Sequence, residues 1–132
     1  MKYNELPEFS KEFKRYRKKY RTLQDDLNNF KKITDSIPVG TGKHFNILFS
    51  NEEIKIIKAR LFCRCLKGSS MRIVYCFFQK SSEIEFMEIY FKGEKENEDH
   101  GRIRDYLKKF KNWSNVSEYL LYFFTIIIVN CG

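Results

Sequence analysis

No C-x-x-C pair occurs in the chain, and its two histidines, His44 and His100, lie far apart. That spacing argues against a zinc site. The four cysteines, Cys63, Cys65, Cys76 and Cys131, then read as reduced thiols. Cys63 and Cys65 fall in an apolar run, where a reduced cysteine behaves as a small hydrophobe. The opening stretch "MKYNELPEFSKEFKRYRKK" lacks an apolar h-region, so no secretory signal is expected and the expected location is cytoplasmic. The longest apolar stretch, eleven residues from Tyr119 to Val129 broken in character only by Thr125, is shorter than the about 18 residues that a membrane span needs. Gly40-Thr-Gly-Lys43 lacks the earlier glycine of a P-loop and has His44 in place of the required Ser or Thr. Acid is missing too: from Ile54 to Ser82 there are seven Lys or Arg and no Asp or Glu.

What is present fits one domain. The 132 residues are 42% hydrophobic, 17% aromatic and 32% charged, which is globular rather than disordered composition. The formal net charge of +8 suits an acidic partner, nucleic acid or acidic polypeptide, or else a solvated basic surface.

Phe9, Phe13, Tyr16, Tyr20, Leu23, Leu27 and Phe30 recur at spacings of 4, 3, 4, 3, 4 and 3, one apolar stripe on helix. Pro7 suits an early helical position, and Thr22 to Asp25 resembles a capping box that restarts a helix. Two helices, about 8–20 and 23–35, are predicted as a hairpin, with one long helix as the alternative. From His44 the period becomes strand-like over 44–49, 54–65, 71–79 and 84–92, with turns between. A polar helix, "ENEDHGRIRDYLKKFKNW", follows. The expected fold is α+β: an N-terminal helical hairpin packed on a mostly antiparallel four-stranded sheet, then a C-terminal helix.

Alternation sorts the strand residues into faces. Lys58, Arg60, Phe62 and Arg64 share one side of the second strand; Arg72, Val74, Cys76 and Phe78 share a side of the third; Glu88, Tyr90 and Lys92 share a side of the fourth. Brought into register, they would gather five groups, Lys58, Arg60, Arg72, Tyr90 and Lys92, around the one acid Glu88. A solvated basic face explains such a set as well as a phosphate site does; a phosphate chain needs several converging donors.

"FSKEFKRYRKKYRTLQDDLNNF", "IKIIKARL", "MRIVYCFF" and "EIEFMEIYFKGEKENEDHGRI" together resemble a toxin of the RelE/ParE superfamily from bacterial type II toxin–antitoxin systems. The resemblance spans roughly residues 5–110. It implies a toxin domain over 1–111 and leaves 112–132 as an apolar extension of unknown role. RelE-type members cleave messenger RNA in the ribosomal decoding site, ParE-type members inhibit DNA gyrase, and a cognate antitoxin neutralises both. The implied function is therefore a ribosome-dependent mRNA endonuclease that arrests translation, with a gyrase inhibitor as the alternative. A non-catalytic nucleic-acid-binding module ranks third.

By the resemblance, Arg72 contacts phosphate and Lys92 is a second cation, while Lys58, Arg60 and Arg64 place the RNA backbone. Metal-independent cleavage asks for a base, cations at the phosphate and an acid for the leaving oxygen, and no cofactor or metal. Glu88 or Tyr90 is the expected base, with surrounding cations lowering its pKa. The tyrosine or histidine near the family's C-terminus has no counterpart, since Tyr106 lies on the predicted last helix. The apolar run 119–129 reads as an added strand or a self-association segment.

Overall fold

The computed structural model describes residues 1–66 and 70–110. It divides into two compact units, Met1–Glu98 and a second from Asp99 onward. The expected extension 112–132, with its self-association segment, lies outside the described residues.

The first unit is a five-stranded sheet with two helices. Strands β1 (Lys2–Glu5), β2 (Phe45–Ser50), β3 (Ile54–Phe62), β4 (Ser70–Phe78) and β5 (Glu83–Phe91) stand in the order β1-β5-β4-β3-β2. Helices α1 (Pro7–Lys19) and α2 (Leu23–Ser36) lie between β1 and β2 in the chain. The four expected strands are present and antiparallel. The sheet nevertheless differs from the expected four-stranded one, because β1 joins its edge parallel to β5, Tyr3 opposite Ile84. Four mostly polar residues carry no periodic signal. What holds them is tertiary: the Tyr3 hydroxyl lies within 2.8 Å of Lys31 O and Thr34 Oγ1 and donates to Asp35 Oδ1 at 2.7 Å, all on α2.

Pro7 opens α1, where its missing N–H and fixed φ cost nothing. Arg17, Lys18 and Lys19 close the helix at the negative end of its dipole. Tyr20 then turns extended, at φ −121° and ψ 97°, and breaks the stripe into the hairpin. Thr22 is no capping box: it is helical, at φ −88° and ψ −2°, and its hydroxyl caps no backbone N–H. All seven residues of the predicted stripe are buried. Phe9 stacks on Phe86 at 5.2 Å, and Phe30 packs edge-on against Tyr75 at 5.8 Å. Each aromatic buried this way stabilises by about 1.5–3 kcal/mol.

Two bulges interrupt the ladders. In β5, Val74 opposes Glu88 while Tyr75 opposes Phe86, so Met87 is the extra residue. In β2, Leu48 is the extra residue, since Ile47 opposes Ile57 and Phe49 opposes Ile56. The predicted polar helix starts later than expected. Helix α3 spans His100–Lys108, and Asp99 caps it by accepting from Arg102 N at 3.0 Å. Residues 96–99 precede it. No helix among the described residues is long and apolar enough to cross a membrane.

One polar clamp ties α1 to the chain just past β5. The Tyr16 hydroxyl donates to Glu94 Oε2 at 3.0 Å and accepts from Phe91 N at 3.2 Å. Arg15 and Lys19 lie 3.4 and 3.6 Å from the same carboxylate. The Tyr16 hydrogen bond, foremost, and the cations hold the Glu94 carboxyl below its usual range. A lowered folded pKa stabilises fully above the ordinary carboxylate range, and that stabilisation disappears as pH falls through the lowered value. Glu94→Gln should therefore lower the Tm at pH 7, with the gap from the wild type closing on acidification. Thermal melts of both proteins across that range check it; a gap that stays constant contradicts it.

Candidate functional site

The face of the sheet opposite the hairpin carries the charges. Arg60 on β3 stands opposite Arg72 on β4, and Arg72 stands opposite Tyr90 on β5. The neighbouring row runs Asn46, Lys58, Val74, Glu88. The expected grouping of Lys58, Arg60, Arg72, Glu88 and Tyr90 on one face is thus realised by the register. Lys92 follows β5 directly.

A recess of about 140 Å³ opens among these groups, lined by Lys43, His44, Asn46, Lys58, Ala59, Arg60, Arg72 and Lys92. Arg60 and Lys92 are exposed, while Lys58 and Arg72 are half-buried. Burial, and then the nearby Arg60, pull the Arg72 guanidinium below its ordinary pKa. Like charges facing each other across strands are unfavourable. Among the described residues neither Arg60 nor Arg72 has a carboxylate partner; Arg72 Nη1 donates to Ser70 Oγ at 2.6 Å instead. An anion in the recess would relieve that repulsion.

Two of the acids that the sequence places after β4, Glu98 and Glu88, are already engaged. Lys58 Nζ lies 2.8 Å from Glu98 Oε1, whose side chain is fully buried. Glu88, 1% exposed, is ion-paired with Lys95. Tyr90 is buried, and the expectation of a lowered pKa there is reversed: burial first, then Glu98 and Glu88, push its phenol up, with Arg72 opposing. A phenol so placed keeps its proton and can donate it, but is a poor base.

Arg64 does not reach the recess. It lies past the end of β3, where its Nε donates to Asp26 Oδ1 at 3.0 Å and its backbone N to Asp26 Oδ2 at 3.1 Å. Conversely, the recess takes in Lys43, His44 and Asn46, which are not among the expected site residues. Gly40 and Gly42, at φ +73° and +86°, turn the chain into β2 there, and His44 O accepts from Arg60 N at 3.0 Å. The available signal was the "GKHFN" run directly before a strand expected to pair with "KAR".

No protein-family model and no curated protein matches the chain. Among solved structures, it is similar to an archaeal RelE–RelB complex from Pyrococcus horikoshii OT3, with a TM-score of 0.54. The match covers 70% of this chain and 94% of that one at 18% sequence identity. The fold is RelE-like.

In this RelE-like sheet the cationic face is built from β2, β3, β4 and the end of β5, and Tyr90 is buried opposite Arg72 without lining the recess. Tyrosinate absorbance tests that placement. Tyr90→Phe should leave the rise through the ordinary phenol range, about pH 10, as it is in the wild type, with a difference only at higher pH. Loss of one tyrosine's signal near pH 10 would mean that Tyr90 titrates as an exposed phenol.

Proposed function

We propose that the protein is the toxin of a type II toxin–antitoxin system and acts as a ribosome-dependent mRNA endonuclease. The observation that carries this reading is the Arg60–Arg72 row, without a carboxylate partner among the described residues, in a concave, cation-lined recess of a RelE-like sheet. Arg72 and Lys92 stabilise charge developing on the scissile phosphate, and Lys58 and Arg60 hold the flanking backbone. A guanidinium grips two phosphate oxygens at once, which an ammonium cannot do. Tyr90, held neutral, serves as a donor toward the leaving oxygen. Glu88 is committed to Lys95, so the base role falls to His44, which lines the recess. An antitoxin with an extended acidic segment is the partner that this face suits.

The burial of Glu88 and Tyr90 favours a second reading, a ParE-type gyrase inhibitor that needs no base. Expression in a bacterium separates the two: cleaved transcripts with unchanged gyrase supercoiling support the nuclease, and intact transcripts with inhibited supercoiling support the inhibitor.

Arg72→Ala should lower cleavage by about 10²–10³-fold, the typical cost of one preorganised donor to a developing charge. Its Tm should stay close to the wild type, because no buried carboxylate pairs with Arg72 among the described residues. Arg72→Lys should recover part of the rate, since the fork is lost but the charge remains. Rates on ribosome-bound mRNA together with thermal melts check this; a stably folded Arg72→Ala protein with full activity would remove Arg72 from the site.

A further inference from the structure

A second polar cluster lies where the α1–α2 junction meets the end of β3, and none of its members lines the recess. The Thr22 hydroxyl is 3.3 Å from Cys65 Sγ and 3.7 Å from Cys63 Sγ, and it also reaches Asp26 Oδ2 at 2.8 Å. Its single proton can go to the Asp26 carboxylate or to a Cys65 thiolate. Two sulfurs that meet one oxygen cannot be far from each other. The backbone adds to this: Leu66 N donates to Cys63 O at 2.9 Å, closing a turn in which Cys63 is the first residue and Cys65 the third. Two residues of fully extended chain span at most roughly 7 Å. A turn shortens that toward the roughly 4.4–6.8 Å Cα separation over which disulfides form.

The two thiols differ in the way a nucleophile and its resolving partner differ. Cys63 is 3% exposed, while Cys65 is exposed, contrary to the expectation that both are core thiols. Burial pushes the Cys63 thiol up. The Thr22 hydrogen bond, foremost, and the charge of Arg21 pull the Cys65 thiol down. The other charged groups at the cluster are Asp26 and Arg64, which hold each other, and Asp25 at 3.6 Å from Arg64.

We propose that Cys65 and Cys63 form an oxidant-modified thiol pair, with Cys65 as the nucleophile toward a peroxide and Cys63 as the resolving thiol. The Cys65 thiolate attacks one oxygen of hydrogen peroxide. The O–O bond breaks, hydroxide leaves and gains a proton to become water, and Cys65 is left as a sulfenic acid. Cys63 Sγ then attacks the Cys65 sulfur, the S–O bond breaks, and a second water leaves with the Cys63 proton. Two thiols lose two electrons and one peroxide becomes two waters. The bridge takes both sulfurs from Thr22 and so alters the tie between the hairpin and β3, the strand that carries Lys58 and Arg60.

The test uses the full-length, reduced protein. It is treated with hydrogen peroxide, blocked with iodoacetamide and cut with trypsin, which cleaves after Arg60, Arg64 and Lys67. The expected product is the 61–64 peptide joined to the 65–67 peptide, lighter by two hydrogens than the separate pair. In Cys63→Ser, dimedone should trap a sulfenic acid on Cys65; in Cys65→Ser, both the linked peptides and any trapping at Cys63 should be lost. Thr22→Val, which keeps the shape but removes the hydroxyl, should slow iodoacetamide alkylation of Cys65 at neutral pH. Absence of the 61–64/65–67 linkage in the oxidised wild type would overturn the proposal. So would oxidation of Cys65 no faster than that of the other cysteines.

Discussion

Everything on the working face depends on the register of β3, β4 and β5. Side chains alternate with a period of two, so a slip of one residue would send Arg60, Arg72 and Tyr90 under the helices and bring Ile73 and Ile89 out. One-sided burial prevents this. Ile57, Ala59, Leu61, Ile73 and Ile89 are each at most 1% exposed, and exposing even one of the isoleucines or Leu61 costs on the order of 1.5–3 kcal/mol. The Met87 bulge completes the arrangement. Phe86 and Glu88, two residues apart, would share a face in a regular strand. With Met87 inserted between them, Phe86 stacks on Phe9 while Glu88 stands opposite Val74 beside the cations.

A sheet pinned in this way can hold an arrangement that its own electrostatics disfavour. Facing arginines repel, yet the hydrophobic face sets the pairing and the repulsion is carried. The acids of the 83–99 segment moderate it selectively. Glu98 neutralises Lys58, Glu88 takes Lys95, and Glu94 is spent on Tyr16, Arg15 and Lys19. Arg60 and Arg72 are left without a carboxylate among the described residues. A recess in which two guanidinium groups have no carboxylate partner among the described residues can take up an external anion.

The helical stripe and the four long strands were legible because each has a strong period and a buried face. The cationic face was legible for the same reason: once alternation assigns Arg60 and Arg72 to one side, antiparallel pairing brings them together. What escaped had no local signal. Strand β1 is four residues whose support comes from α2 through Tyr3, some thirty residues away. His44 enters the recess because two positive-φ glycines aim the chain there, a turn geometry that composition alone does not fix. Arg64 has the right parity to join Arg60, but β3 ends at Phe62, and Asp26 draws Arg64 to the α1–α2 junction. The Tyr90 pKa runs opposite to the expectation because nearby cations are visible in sequence, whereas its burial and the proximity of Glu98 are not.

The central claim is that the Arg60–Arg72 row grips messenger RNA on the ribosome. Its most direct test is a purified system in which ribosomes hold a defined mRNA with a known codon in the decoding site, and the mRNA ends are sequenced after the protein is added. The expected result is new ends within that codon, absent without ribosomes and absent with a folded Arg60→Ala/Arg72→Ala protein. Uncut mRNA with the wild-type protein, or unchanged cutting by the double variant, would contradict the account.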